Sequence, residues 1–158
     1  MEMPKPTEDH KKYRAFVGTW TGEETLHPMP WSPQAATATS RCTSRLDLDG
    51  FFLITDHEQS RDGKVSYRGH GVFGYDPRQQ KHTMHWFDVM GGDPGAPATG
   101  TWEGNTLRCQ HSHHMGQSRY TYTFERDGLY TLQIEMSQDG KAWVPFLTGT
   151  YKRISNSR

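Results

Sequence analysis

A chain of 158 residues and 18.1 kDa has the size of one domain with a sizeable core, and no second domain is expected. Its 18 basic and 18 acidic residues cancel and its pI is about 7.1, which removes the electrostatic reason to expect nucleic acid or an anionic membrane as partner. Long aliphatic side chains are scarce, and 7 Phe, 5 Trp and 7 Tyr supply the missing apolar area, on the order of 150 to 250 Å² for each ring buried.

Residues 1–10 are polar and contain proline, with no apolar stretch of signal-peptide or membrane-span length, so a cytoplasmic location is the expectation. Thr7 is an N-cap candidate followed by Glu8 and Asp9 in a first turn, and Tyr13, Phe16 and Val17 fall on one face. That pattern predicts a short helix over about residues 8–17, placed to plug one end of a barrel. Trp20 between Gly18 and Gly22 fits a first strand rising from the barrel floor, with the glycines admitting close backbones and the indole filling the bottom layer.

From there, turn signals recur steadily: residues 28–33, Asp49-Gly50, Asp62-Gly63, Asp76-Pro77, residues 91–95, Gly104-Asn105, Met115-Gly116, Asp127-Gly128 and Asp139-Gly140. These nine connections imply about ten strands in antiparallel hairpins. Alternation supports strands. Tyr120, Tyr122 and Phe124 share one face, and Tyr130, Leu132, Ile134 and Met136 share one face of the next strand. Either face satisfies the pattern as the interior: an aromatic lumen, or a polar lumen with the aromatic stripe covered by the helix or a second subunit. Residues 91–98 form the longest Gly- and Pro-rich connection, read as an ordinary long loop or as a lid at the barrel mouth.

The Gly-Thr-Trp-x-Gly opening resembles the calycin superfamily of lipocalins, fatty-acid-binding proteins and the haem barrel nitrobindin. Gly74-Tyr75-Asp76, Trp86-Phe87-Asp88, residues 100–104, residues 135–143 and Tyr151-Lys152-Arg153 resemble the layout of a mostly bacterial domain-of-unknown-function family, number 1579, over roughly residues 8–154. The resemblance implies an all-β fold, an antiparallel up-and-down calycin-like barrel of about ten strands with a short N-terminal helix, the barrel occupying about residues 18–154. It implies no reaction.

Chemistry-bearing residues are few. Cys42 and Cys109 lie far apart and read as buried free thiols. Of nine histidines, His111 and His113 share a face, and with His70, His85 or Asp88 they are the weak candidates for a zinc-type site; solvated strand-end histidines are the simpler reading. The nitrobindin likeness brings an iron ligand near the C-terminal end of the chain, yet the last histidine here is His114. Neither haem nor zinc is therefore expected. No Gly-x-Ser-x-Gly elbow, phosphate loop or dinucleotide fingerprint occurs.

Asp88 shares an apolar face with Met84, Trp86 and Met90, where a carboxyl group needs a partner such as Arg119, Arg68 or a backbone amide. Arg119 and Glu135 are set for a cross-strand ion pair. The leading expectation is a barrel binding a small apolar or aromatic molecule, lined by Trp20, Phe73, Tyr75, Trp86, Tyr122 and Ile134, with Asp88 or Arg119 orienting its polar end. Two alternatives stand beside it: an isomerase or hydrolase using Asp88 with a histidine as acid and base, and a homodimeric structural or interaction protein.

Overall fold

In a computed structural model, which describes residues 1–156, ten antiparallel strands close into one barrel. The strands are β1 (Gly18–Leu26), β2 (Ala36–Asp47), β3 (Phe52–Arg61), β4 (Lys64–Asp76), β5 (Lys81–Asp88), β6 (Ala98–Glu103), β7 (Thr106–His113), β8 (Gly116–Arg126), β9 (Leu129–Ser137) and β10 (Val144–Ser155). Each pairs with its neighbours in sequence, and β10 pairs back onto β1. Every strand thus has a partner on both sides, the arrangement by which barrels avoid edge-to-edge aggregation, although β5 meets β6 over only three residue pairs, His82 to Met84.

Period-2 burial sets which side chains point inward. Along β1, Trp20, Gly22 and Glu24 are buried while Thr21 and Glu23 are exposed; along β2, Ala38, Ser40, Cys42 and Ser44 are buried between exposed Thr39 and Arg41. The aromatic face of β8 is the interior face: Tyr122 and Phe124 are buried and belong to the core cluster, with Tyr120 packed against it.

The N-terminal segment forms the floor. A one-turn helix α1 (Glu8–Lys11) runs into a 3₁₀ turn at Lys12–Phe16, shorter and tighter than one continuous helix to residue 17. The Thr7 N–H donates to His10 Nδ1 at 3.0 Å, which places a side-chain acceptor at the helix start. Phe16 projects into the barrel, where its ring centroid lies 4.8 Å from Phe124, 5.4 Å from Tyr130, 5.5 Å from Tyr122 and 5.7 Å from Phe73. Tyr13 is fully buried, and its hydroxyl donates to the Gly74 carbonyl at 2.8 Å. Its oxygen lies 2.7 Å from His82 Nδ1, and burial pushes His82 down to about 4.

Arg153 on β10 fastens this plug. Its Nε donates to the Val17 carbonyl at 3.1 Å and its Nη2 to the Ala15 carbonyl at 2.9 Å, while Nη1 reaches Asp127 at 2.8 Å. The guanidinium also lies 4.6 Å from the ring centre of Trp20, whose Nε1 donates to the Phe16 carbonyl at 2.7 Å. The end of the last strand and the entry to the first are thus held by one planar cation.

Candidate functional site

Above the Phe16 floor the barrel encloses a cavity of about 570 Å³. Because the strands alternate up and down, the connections after β1, β5 and β7 emerge at the end opposite the plug. From them Trp31, Met90 and Met115 line the opening. All three are substantially solvent-exposed. Residues 92–96 flank a smaller recess of about 240 Å³ that shares Trp86, Asp88 and Met90 with the main cavity. The 91–98 loop therefore sits at the mouth.

Two polar clusters interrupt the apolar wall. The deeper one centres on Glu24, whose side chain is 1% exposed. Its Oε1 accepts from Gln59 Nε2 at 2.9 Å, and its Oε2 accepts a short hydrogen bond from the Tyr151 hydroxyl. Tyr151 reaches it because two strand positions carry no side chain. A Cβ at Gly22 would lie 2.5 Å from Tyr151 Cδ1, and one at Gly149 would collide with the phenol oxygen. On the other side, His57 Nε2 lies 3.7 Å from Glu24 Oε2, and His57 Nδ1 lies 3.0 Å from Cys42 Sγ. Cys42 and His57 are direct cross-strand partners, as are Trp20 and Cys42.

Burial lowers the basicity of His57, partly offset by Glu24, and pushes the Cys42 thiol up to about 12 with Glu24 adding to the effect. The pair is therefore a neutral thiol beside a neutral imidazole, not the thiolate and imidazolium of an activated cysteine nucleophile. Cys42 and Glu24 contact opposite nitrogens of one ring, so the three groups do not converge on a common metal position. Among the described residues no group of three or more His, Cys, Asp or Glu is arranged to hold a metal ion.

The second cluster stands nearer the mouth. Trp86 Nε1 donates to Tyr67 Oη at 2.6 Å, and the Tyr67 hydroxyl donates onward to Asp88 Oδ2 at 2.8 Å. Asp88 Oδ1 accepts from the Met90 backbone N–H at 3.0 Å. Gly69 and Gly71 make room for the indole: a Cβ at Gly69 would lie 2.5 Å from Trp86 Cζ2, and one at Gly71 would lie 3.1 Å from Cζ3. These glycines, whose sequence context suggests strand bends, are the seat of a side chain on the next strand.

Of the residues expected to line the lumen, Phe73, Trp86, Asp88, Tyr122 and Ile134 do border the cavity. Trp20 lies instead in the floor beneath it, buried against Tyr130. Tyr75 packs edge-on to His10 beside the plug. Arg119 is one strand position out of phase with the inward Tyr120, so it points outward. There its Nε donates to Glu135 at 3.0 Å, forming the expected cross-strand pair, and its guanidinium lies 4.1 Å from the Trp143 ring centre. It cannot orient a molecule inside the barrel. His111 and His113 face each other with centroids 5.6 Å apart. However, His113 Nε2 is engaged by Ser118 Oγ at 2.8 Å and His113 Nδ1 accepts from Met115 N–H at 3.2 Å, which leaves neither nitrogen free for a cation. Asp88 has Tyr67 and a backbone amide as partners, not a histidine.

The cluster of Glu24, Gln59, His57 and Tyr151 is absent from the residues expected on sequence grounds. One signal for it exists: once Trp20 points inward, Glu24 four residues on must do so as well.

A closed ten-strand antiparallel barrel with a helical plug and an interior cavity is a calycin-like fold, and solved structures share it. The chain is similar to Rv2717c from M. tuberculosis, with 11% identity and a TM-score of 0.68 over 93% of this chain and 98% of that one. It is also similar to the S-type phycobiliprotein lyase CPES from Guillardia theta, with 13% identity and a TM-score of 0.66 over 94% of this chain and 98% of that one. Within this fold the chain belongs to the family described as a protein of unknown function, DUF1579, which matches residues 5–153. No curated protein matches it. Among the described residues no helix is long and apolar enough to cross a membrane.

Proposed function

We propose that this protein binds a small, largely apolar or aromatic molecule inside its barrel. The cavity carries the reading: about 570 Å³ is within the range of small-molecule sites, and its wall is mostly aromatic, aliphatic and thioether surface with a few convergent polar groups. A core of this size that is left unfilled by its own side chains costs stability, which an occupant would return. The similarity to a phycobiliprotein lyase supports ligand binding in this fold without indicating which ligand. Two buried free thiols, Cys42 and Cys109, agree with action in the reducing cytoplasm.

The test is binding of the neutral fluorophore N-phenyl-naphthylamine, together with native mass spectrometry of freshly purified protein. Saturable binding that is abolished in Ile134→Trp, which fills the lumen, is the expected result. Absence of saturable binding and of any co-purifying organic mass in a folded sample would overturn the reading.

A further inference from the structure

Resting on that reading, we infer that the molecule this cavity selects is a hydrophobic organic amine, its ammonium group held at Asp88 beside Tyr67, Trp86 and Tyr120. The wall of the cavity contains two carboxyl groups, Glu24 and Asp88, and neither lysine nor arginine. Arg119, the cation expected to serve the lumen, is outside and engaged with Glu135. The basic group closest to Glu24 is His57 at 3.7 Å, which burial keeps neutral. Among the described residues, no Lys, Arg or His lies within ion-pairing distance of Asp88. The interior thus carries acceptors for a positive charge and no counter-charge of its own.

Asp88 is the member placed to receive a ligand. Glu24 is sealed beneath Tyr151 and Gln59, whereas Asp88 is half-buried at the end of β5, next to the Met90 rim. Each of its oxygens has one protein donor, Tyr67 to one and the Met90 amide to the other, which leaves acceptor positions open on both. An ammonium donates three hydrogen bonds and has none to accept, so its donors match those positions. The neighbouring rings of Tyr67, Trp86 and Tyr120 border the same space and keep water from it, which strengthens the attraction between the two charges. Tyr67 is held in place from behind by the Trp86 indole N–H, so the acceptor is preorganised.

The same arrangement discriminates. A fatty acid of identical length would place its carboxylate in a poorly hydrated space beside carboxyl groups and no cation, and such an uncompensated charge is costly. A neutral alcohol would be tolerated but would gain only an ordinary hydrogen bond. Selection for amines over acids is therefore built from what the wall lacks as much as from what it holds.

Displacement of N-phenyl-naphthylamine by dodecylamine, dodecanol and dodecanoic acid, measured near neutral pH, tests this. Expected is dodecylamine binding about tenfold more tightly than dodecanol, the equivalent of about 1.4 kcal/mol, with dodecanoic acid weakest. Asp88→Asn should bring the amine and the alcohol within about threefold of each other. Glu24→Gln, as a second variant, should relax the rejection of the acid. Equal affinity for amine and alcohol in the wild-type protein, or an acid that competes as well as the amine, would overturn the inference while the cavity reading survives. If the fluorophore and the alcohol both fail to bind to folded protein, the cavity reading falls and this inference falls with it.

Discussion

Replacing Phe16 with alanine tests the floor and the cavity together. Phe16 is 2% exposed, and four aromatic rings stand within 5.7 Å of its centroid. Truncation to Ala vacates roughly 100 Å³, which at about 24 cal/mol per Å³ costs about 2.4 kcal/mol. The lost transfer of an aromatic ring from water adds about 2 kcal/mol. The sum of roughly 4 kcal/mol falls within the range measured for buried Phe to Ala changes. It is also a large part of the total stability of an average domain. Urea unfolding followed by circular dichroism should show a midpoint lowered accordingly with an unchanged slope. Because Phe16 also borders the barrel cavity, the variant's cavity deepens towards the plug, and apolar molecules that extend to the floor should restore part of the lost stability by mass action. A loss below about 1 kcal/mol, or no difference between long and short ligands, would refute the assignment of Phe16 as the cavity floor.

Further outcomes rest on the same geometry. Arg153→Lys should cost about 1 to 3 kcal/mol in urea unfolding, because a compact ammonium lacks the wide planar fork that reaches the Val17 and Ala15 carbonyls and Asp127 from three separate nitrogens; a neutral effect would show that the clamp is dispensable. Asp127→Asn should matter chiefly above the acid range. Arg153 holds the Asp127 carboxyl below the usual range, so its contribution is present above the ordinary carboxylate pKa and fades as pH falls through the lowered one, where wild type and variant should converge in denaturant midpoint. His82 is a base pushed down to about 4 by burial, so between 6.5 and about 4 the unfolded chain binds the extra proton. Stability should therefore decline as pH falls through that window, and His82→Gln should flatten the decline in denaturant midpoints. Gly69→Ala drives a Cβ into the Trp86 indole, and should shift tryptophan emission and weaken binding of the neutral fluorophore; unchanged emission and affinity would refute the seat proposed for that ring.

How much of the molecule is legible in the sequence depends on whether a property is local. Ten strands and their turns follow from spacing and alternation, which are local, and alternation narrows the inward face of β8 and β9 to two choices. Choosing between them needs closure, since burial on a curved sheet is decided by which side faces the axis. Asp88 stands out because its apolar neighbours Met84 and Trp86 are four and two residues away on its own strand. Glu24 does not, because its partners Gln59, His57 and Tyr151 come from β3 and β10, and register between strands so distant in sequence is not written in any one segment. Arg119 sits on the polar face of β8, so alternation places it opposite Tyr120 and Tyr122, and it is excluded as an interior anchor once closure turns those rings inward.

The latch formed by Arg153 also bears on how the molecule is made. Synthesis produces the plug and β1 first and β10 last, yet β1 needs β10 for its second row of hydrogen bonds, and the plug needs Arg153 to hold its carbonyls. Until β10 has left the ribosome, β1 presents an unsatisfied edge and the aromatic interior stays accessible to water. Such late, long-range closure is slow, and the exposed edges are open to pairing with other nascent chains in the meantime. A ligand that enters the aromatic interior during this interval would favour the closed form as soon as it becomes reachable, linking yield in the cell to ligand supply.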